Sequence, residues 1–255
     1  MTRVIVVASG KGGVGKTTLA GNIAVALTTF GKRVVVLDAD VVMANLEIMM
    51  GLKNPPVSLI DVLGGRLDIE DVIYEGPGGV RIIPAGITLD GFNEENMEML
   101  KAAVKEIPKD IELVVIDAPA GRDAAMVMDR AQEILIVTTP EVSSVSDALK
   151  MKILAERMGA KTVGSILNMV ENTSHELSRQ EVENALDSSI ICEIPYDPRI
   201  KDALANETPF VIKYPRIDAT QQLLSLSASL IGRKYKPLAP SMLSKISTFF
   251  RSGQR

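Results

Sequence analysis

The chain has 255 residues, of which 46% are hydrophobic, 24% are charged and only 4% are aromatic, and its formal net charge is −4. This composition is typical of a folded, water-facing protein of one large domain, and no apolar run reaches the roughly 18 residues that a membrane-spanning helix requires. The single cysteine, Cys192, excludes an internal disulfide and a multi-thiolate metal site, and its apolar surroundings predict a core position.

Charge is distributed unevenly along the chain. Residues 1–218 contain all 32 acidic residues and 22 of the 28 basic ones, a formal charge of −10, whereas residues 219–255 contain the other six basic residues. An acidic body should be repelled by nucleic acid and by anionic lipid, while a basic end can be attracted to either. The end of the chain therefore requires its own explanation.

Short runs of β-branched residues alternate with segments in which apolar residues have helical spacing. The predicted strands are residues 3–9, 33–39, 79–85, 112–118, 133–139, 160–168 and 189–195. The clearest predicted helices are residues 17–31 and 143–159, and both end in glycine. This alternation predicts an α/β fold with a mostly parallel central sheet and helices on both faces. Ligands of such sheets bind at the carboxyl ends of the strands.

A glycine-rich loop lies between the first predicted strand and the first predicted helix. Its sequence, GKGGVGKT at 10–17, fits the phosphate-loop pattern of Gly, four residues, Gly-Lys and Ser or Thr. In such a loop backbone N–H groups surround phosphate oxygens, Lys16 reaches the terminal phosphates, and the Thr17 hydroxyl is offered to Mg²⁺. The loop therefore predicts Mg²⁺-dependent binding and hydrolysis of ATP. The residues expected to contact the nucleotide here are Gly10, Lys11, Gly12, Gly13, Val14, Gly15, Lys16, Thr17 and Thr18.

Lys11 is a second lysine inside this loop, although Lys16 already serves the phosphates of its own subunit. A cation at the front edge of the loop can reach a nucleotide held by another subunit, as an arginine finger does. The alternative is a solvated loop lysine without a catalytic role.

Three carboxylates stand at the ends of predicted strands, beside the phosphate loop. Asp117 follows four apolar residues, so it fits the role of a side chain that holds Mg²⁺ or its water. Asp40 lies farther out on a loop and is suited to orienting an attacking water. Asp38 is either a further metal ligand or a cap for the strand exit. Gly121 allows the backbone to approach a γ-phosphate closely.

The terminal segment 241–255 has an amphipathic pattern. Met242, Leu243, Ile246, Phe249 and Phe250 fall within about 120° of one helical face, opposite serine, threonine and arginine. This pattern is typical of a helix that lies in a membrane interface, and the alternative is a helix docked on the body or on a partner. The predicted organisation is a nucleotide-binding ATPase domain at 1–232, a linker at 233–240 and a membrane-targeting helix at 241–255.

Taken together, the loop with Lys11, the run DADVVMANL at 38–46, the run DAPAG at 117–121 and the run PEVSSVSDA at 140–148 resemble the MinD branch of the ParA/MinD ATPases. The resemblance extends over essentially the whole chain. It implies a P-loop NTPase fold, a homodimer that forms face to face around two ATP molecules, and contact of Lys11 with the partner's nucleotide. It also implies that Lys11, Lys16 and Asp40 are catalytic, that Thr17, Asp117 and Asp38 are candidate Mg²⁺ ligands, and that Asn168, Pro195 and Asp197 enclose adenine.

The same resemblance places Asp147 on a helix near the dimer face, and it implies reversible membrane binding through a C-terminal helix. It thus implies a cytoplasmic protein that binds the cytoplasmic face of the membrane, at an anionic lipid surface, in its ATP state. There it would position a further protein. The resemblance implies that this role is placement of the cell-division site. Ser146 stands where bacterial MinD often has arginine, so bacterial partner contacts are not carried over.

Three other functions are alternatives for a protein with this nucleotide site. A ParA-like DNA-partition ATPase would need a basic body, whereas this body is acidic, so no specific nucleic acid is expected. An iron-sulfur carrier with this nucleotide site would need paired cysteines, and the chain has one, so no cluster is expected. A relative of MinD that places flagella or pili is not separated from a division-site protein by the sequence.

Overall fold

The computed structural model describes residues 2–86, 94–128 and 133–238. Within these ranges eight strands form a single sheet in the order β3-β4-β2-β5-β1-β6-β7-β8, and only the β3–β4 pair is antiparallel. The strands are β1 (Arg3–Ser9), β2 (Val34–Asp38), β3 (Tyr74–Glu75), β4 (Arg81–Ile83), β5 (Leu113–Ala120), β6 (Glu133–Thr138), β7 (Lys161–Val170) and β8 (Ile190–Pro195). The segment 241–255, with its predicted amphipathic helix, lies outside the described residues.

Helices cover both faces of this sheet. The α-helices of the described ranges are α1 (Lys16–Thr29), α2 (Leu46–Met49), α3 (Leu59–Leu63), α4 (Glu94–Lys105), α5 (Val142–Arg157), α6 (Arg179–Leu186), α7 (Pro198–Ala205), α8 (Phe210–Lys213) and α9 (Asp218–Leu230). Short 3-10 helices cover Ile69–Val72, Pro77–Gly79 and Gly121–Val127. None of the described helices is both long enough and apolar enough to cross a membrane.

The alternation of side chains along β1 explains why the sheet has two cores. Ile5 and Val7 pack in a core with α1 and α9, whereas Val6 and Ala8 pack in a second core with α4, α5 and α6. All four side chains are fully buried. Because successive residues of a strand point to opposite faces, a strand covered on both sides is apolar throughout, and this is the pattern from which the parallel sheet was predicted.

All seven predicted strands are present, and α1 and α5 confirm the two predicted helices. The two-residue strand β3, which pairs antiparallel with β4 at the sheet edge, was not predicted. Cys192 is 6% exposed within the core around β8, as its apolar surroundings predict.

The first part of the predicted linker packs on the body of the protein. Arg233 donates a hydrogen bond to the carbonyl of Phe30 at 2.6 Å, at the end of α1. The Tyr235 hydroxyl and the Leu238 backbone N–H both donate to the Gln221 side-chain oxygen on α9, at 3.0 and 2.6 Å. The rings of Phe30 and Tyr235 also meet edge to face, 5.8 Å apart. Residues 233–238 of the predicted linker therefore contact α1 and α9.

Candidate functional site

The glycine-rich loop joins the carboxyl end of β1 to the amino end of α1. Gly13 and Gly15 have φ angles of 81° and 88°, in the left-handed region that favours glycine, and α1 begins at Lys16. A β-carbon added at Gly12 or Gly13 would meet no atom within 4 Å. The loop therefore presents an open concave face at a helix amino terminus, which is where backbone N–H groups bind phosphate.

Gly10 sets how closely this loop approaches α5. A β-carbon at Gly10 would lie 2.1 Å from the backbone oxygen of Asp147, so any larger residue would force the loop away from the helix. The Asp147 carboxylate itself forms an ion pair with Lys150 at 2.8 Å. Gly121, with a φ of 68°, lies on the other side of Gly10, where an added β-carbon would be 3.8 Å from the Gly10 carbonyl oxygen.

Lys16 and Asp117 form a buried ion pair beneath the loop. The Lys16 Nζ lies 2.6 Å from Asp117 Oδ1 and 3.4 Å from the Thr17 hydroxyl, and the side chains are 7% and 0% exposed for Lys16 and Asp117. Burial raises the pKa of Asp117 above its usual range, although Lys16 opposes this shift. Asp117 and the Thr17 hydroxyl use two of the three ammonium donors of Lys16, so the third remains for a phosphate oxygen.

The second carboxylate oxygen of Asp117 makes the site suitable for a cation. Asp117 Oδ2 is buried and has no hydrogen-bond partner, and a hydrogen bond from the Thr17 hydroxyl lowers the pKa of the same carboxyl. A buried, unpartnered carboxylate oxygen beside a hydroxyl fits Mg²⁺, which prefers oxygen ligands and is usually held by one or two carboxylates together with phosphates and water. Within the described ranges, no group of three or more Asp, Glu, His or Cys side chains is arranged to hold a metal ion by itself.

Asp38 lies beside Asp117 and holds the segment that follows β2. Its carboxylate accepts backbone N–H groups from Asp40 at 2.9 Å, Asn45 at 3.3 Å and Leu46 at 3.2 Å. Burial, and next the negative charge of Asp117, raise the pKa of Asp38 well above its usual range. Because both Asp38 oxygens are bonded to backbone, these contacts favour the strand-exit cap over the metal ligand, the two roles that the sequence left open.

Asp40 lies on the exposed loop after β2. Its Oδ1 accepts the Met43 backbone N–H at 3.0 Å, and its side chain lines a recess of about 200 Å³ with Pro119, Ala120 and Asp123. The neighbouring Val42 and Met43 are 57% and 68% exposed. Asp40 is thus close to the run 117–121 without being fixed by it, as the proposed water-orienting role requires.

Lys11 points away from the Lys16 pocket and along the surface. Its Nζ lies 3.5 Å from Glu141 Oε2 and 3.2 Å from the Ser143 hydroxyl, both at the start of α5. The Lys11 and Glu141 side chains are 44% and 64% exposed. Exposed ion pairs contribute only about 0 to 1 kcal/mol, so Lys11 can exchange this contact for another at little cost.

A second pocket, of about 200 Å³, adjoins the loop at Gly15 and Thr18. The three residues expected to enclose a base, Asn168, Pro195 and Asp197, all line it. Other residues that line this pocket were not predicted from the sequence. They include Met169, Tyr196, Ile200, Lys201 and Phe210. The Lys201 ammonium lies 5.4 Å from the centre of the Tyr196 ring. Tyr196 lies between two expected base contacts in the sequence, and that position is the signal that could have identified it.

Asn168 connects this pocket to the phosphate loop. Its side-chain Nδ2 donates to the Val14 carbonyl at 2.8 Å, and the residue is 5% exposed. The next residue, Met169, has a φ of 58°, which is uncommon for a residue with a side chain and is a form of strain that clusters at ligand sites. One of the two Nδ2 hydrogens of Asn168 is used by the loop, and its carboxamide oxygen is an acceptor that a base can use. That acceptor suits the exocyclic amine of adenine.

Comparisons with known proteins agree with this arrangement. A family model described as the CobQ/CobB/MinD/ParA nucleotide binding domain matches residues 5–210. The chain is 45% identical over 254 residues to an uncharacterised ATP-binding protein of Methanocaldococcus jannaschii, which covers 98% of this chain and 96% of that protein. It is also 32% identical over 231 residues to the antiactivator FleN of Pseudomonas aeruginosa, covering 86% and 82% of the two chains.

One solved structure resembles the whole described fold. It is the septum site-determining protein MinD of Pyrococcus horikoshii in complex with Mg-ADP, with a TM-score of 0.83 and 30% identity. The match covers 91% of this chain and 97% of that one.

Proposed function

The chain belongs to the CobQ/CobB/MinD/ParA family of nucleotide-binding proteins, and from this membership we propose that it is an ATP-driven switch of the MinD type. ATP and Mg²⁺ are the nucleotide and metal of the site. In the proposed cycle ATP binding drives formation of a homodimer, the dimer binds the membrane through 241–255, and hydrolysis releases it. The output is the position of another protein and not a chemical product.

The observation that carries the nucleotide part of the proposal is the buried Lys16–Asp117 pair under the open loop. The loop N–H groups and Lys16 bind the phosphates, and the charge of Lys16 is held in place by Asp117 at 2.6 Å. Thr17 and Asp117 would hold Mg²⁺, which neutralises phosphate charge when bound. Asn168 offers its carboxamide oxygen to the adenine amine, so guanine, which has a carbonyl oxygen at that position, would be disfavoured.

Hydrolysis requires a water placed in line with the terminal phosphate. We assign the orientation of that water to Asp40, because its side chain lines the recess next to 117–121 and is held there by the Met43 N–H. Asp38 fixes the segment 40–46 through three backbone N–H groups, so it positions Asp40 without touching the reacting atoms. Gly121, beside Gly10, permits close approach of the backbone to the γ-phosphate.

Dimerisation is the step assigned to Lys11. Its contacts with Glu141 and Ser143 lie on the exposed surface next to the loop, so its ammonium can reach a nucleotide in a second subunit. Val42 and Met43, on the segment after β2, and Val142, next to Glu141, are exposed apolar side chains, and their exposure favours a surface that is covered in a complex.

Membrane binding is assigned to 241–255 on its amphipathic pattern. For one helix of this length the free energy of membrane binding is close to zero, because the gain from burying five apolar side chains is offset by the cost of ordering about ten residues. Two helices on a dimer bind as a linked pair, and linkage can raise avidity by about 10² to 10⁴. The protein would therefore be cytoplasmic as a monomer and peripheral on the membrane as an ATP dimer.

Two cellular structures are candidates for what this protein places. Similarity to a septum site-determining protein MinD favours placement of the division site, and placement of flagella or pili is the alternative that the sequence does not separate from it. Sedimentation of the full chain with anionic vesicles, in ATP and in ADP, tests the switch itself. Equal sedimentation in the two nucleotides would reject it.

A further inference from the structure

A cavity of about 850 Å³ opens at the end of the sheet opposite to the phosphate loop. It is lined by Arg3 at the start of β1, Leu113 at the start of β5 and Leu230 at the end of α9. We call it the basal cleft. The seven residues of β1, at about 3.3 Å each, separate it from the phosphate loop by roughly 20 Å, so both sites can be occupied at once.

The rim of the basal cleft is cationic. Arg3 pairs with Glu133 at 2.6 Å and Lys32 pairs with Glu112 at 2.8 Å, so those charges are compensated. Lys105 and Lys109 also line the cleft and are exposed, and neither has a hydrogen-bond or ion-pair partner among the described residues. Two uncompensated cations on a body with a formal charge of −10 mark this cleft as a site for an anion.

The floor of the cleft is apolar. Ile107, Ile111 and Leu230 line it and are 4%, 2% and 8% exposed, so each presents a small apolar area to the cleft. An amphiphile with an anionic head satisfies both parts of the cleft. Inorganic phosphate would use the lysines alone, and a nucleic acid would leave the apolar residues of the cleft without a partner.

Helix α9 ends at the same place. Gly232 lines the cleft, and Arg233, Lys234 and Lys236 follow it on an exposed segment. Arg233 is held by its hydrogen bond to the Phe30 carbonyl. The basic segment that follows α9 thus begins at the cleft, before Leu238 bonds to Gln221 on α9.

We propose that the basal cleft binds the phosphate headgroup of an anionic phospholipid, with Lys105 and Lys109 as its donors and Ile107 and Ile111 against the first part of the acyl chains. The proposal rests on the membrane role given under Proposed function, and it adds a second lipid contact on the body of the protein. Each lysine near an anionic lipid surface contributes enough to change binding by about fivefold.

The test uses the full chain and a soluble probe, dihexanoyl-phosphatidylglycerol below its micellar concentration. Backbone amide NMR shifts of Ile107, Ile111 and Ile231 are followed during titration. The wild type should show saturable shifts at these residues, and Lys105→Gln/Lys109→Gln should weaken binding by about 10- to 30-fold. The control, Lys53→Gln/Arg66→Gln, removes two exposed charges elsewhere and should bind like the wild type.

Each other outcome has a defined meaning. Absence of saturable shifts, or equal binding by Lys105→Gln/Lys109→Gln and the control, would overturn the proposal. Equal saturation by inorganic phosphate, or preferential saturation by a short DNA duplex, would reassign the cleft and also overturn it. Phe249→Asp/Phe250→Asp should retain lipid binding in this assay even if it no longer sediments with vesicles. The cleft and the C-terminal segment are therefore tested separately.

Discussion

Asp38 and Asp117 are register partners on the adjacent strands β2 and β5, so two fully buried carboxylates stand side by side at the carboxyl edge of the sheet. Their neighbours give them different tasks. Asp117 pairs with Lys16 at 2.6 Å and retains an oxygen without a partner, whereas Asp38 gives both oxygens to backbone N–H groups. One carboxylate thus serves the phosphate site, and the other holds the loop that carries Asp40.

Lys16→Ala should lower ATP affinity by about 100-fold or more. The change removes charge-assisted hydrogen bonds to the phosphates, each worth about 1.5 to 3 kcal/mol, and leaves Asp117 buried without its cation. Equilibrium binding of a fluorescent ATP analogue measures this effect. Lys11→Ala is the control, since it removes a lysine of the same loop and should bind one nucleotide normally. Unchanged affinity in Lys16→Ala would reject the assigned site.

Lys11→Ala should raise the dissociation constant of the ATP dimer by about 30-fold or more, because removal of one member of an intersubunit charge contact costs about 2 to 5 kcal/mol. Light scattering with ATP, over a range of protein concentrations, measures it. Glu141→Gln removes the contact of Lys11 within its own chain and should leave dimerisation intact or strengthen it. If Lys11→Ala dimerises like the wild type, Lys11 is a solvated loop lysine without a role in dimerisation.

Asp40→Ala should slow hydrolysis by about 100-fold or more while ATP still binds, because a water-orienting carboxylate acts on the chemical step. The ATP dimer should then persist, which sizing after incubation with ATP can measure. Asp123→Ala is a matched control, because Asp123 is an exposed carboxylate of the same recess. A wild-type hydrolysis rate in Asp40→Ala would move the role to another residue.

Cys192 provides a pH-dependent test of the core. Burial raises the pKa of its thiol to about 12, above the ordinary value of about 8.5. The unfolded thiol loses its proton near pH 8.5, whereas the folded thiol keeps it up to about pH 12. The contribution of Cys192 to stability is therefore fully present below about pH 8.5 and is lost as pH rises toward 12. Between pH 8.5 and 10 the wild type should lose about 1.5 kcal/mol of unfolding free energy relative to Cys192→Ala. Urea unfolding at both pH values measures it, and parallel curves would contradict this burial.

Much of the fold could be predicted from local sequence pattern, because a parallel strand buried on both faces is a continuous apolar run, as in β1, β2 and β5. Strand β3 could not be predicted, since two residues show no periodicity. The role of Lys16 was predicted from the phosphate-loop motif, and that of Asp117 from its position at a strand end. The bonds of Asp38 could not be predicted from the sequence, because they depend on the path of the chain from Asp40 to Leu46.

The same limit applies to sites built from distant segments. The basal cleft joins β1, the end of α4 and the end of α9, and no local pattern connects Arg3 with Lys105 or Leu230. The Met169 backbone angle likewise reflects tertiary packing around Asn168 and Gly15.

The most direct test of the switch is sedimentation of the full chain with vesicles of phosphatidylcholine and phosphatidylglycerol, in Mg-ATP and in Mg-ADP. The account predicts that the wild type sediments at least tenfold more in ATP, because two linked helices bind far more tightly than one. A protein lacking 241–255 should still bind ATP and dimerise yet stay in the supernatant in both nucleotides. Equal sedimentation of the wild type in ATP and ADP, or sedimentation of the truncated protein like the wild type, would contradict the account.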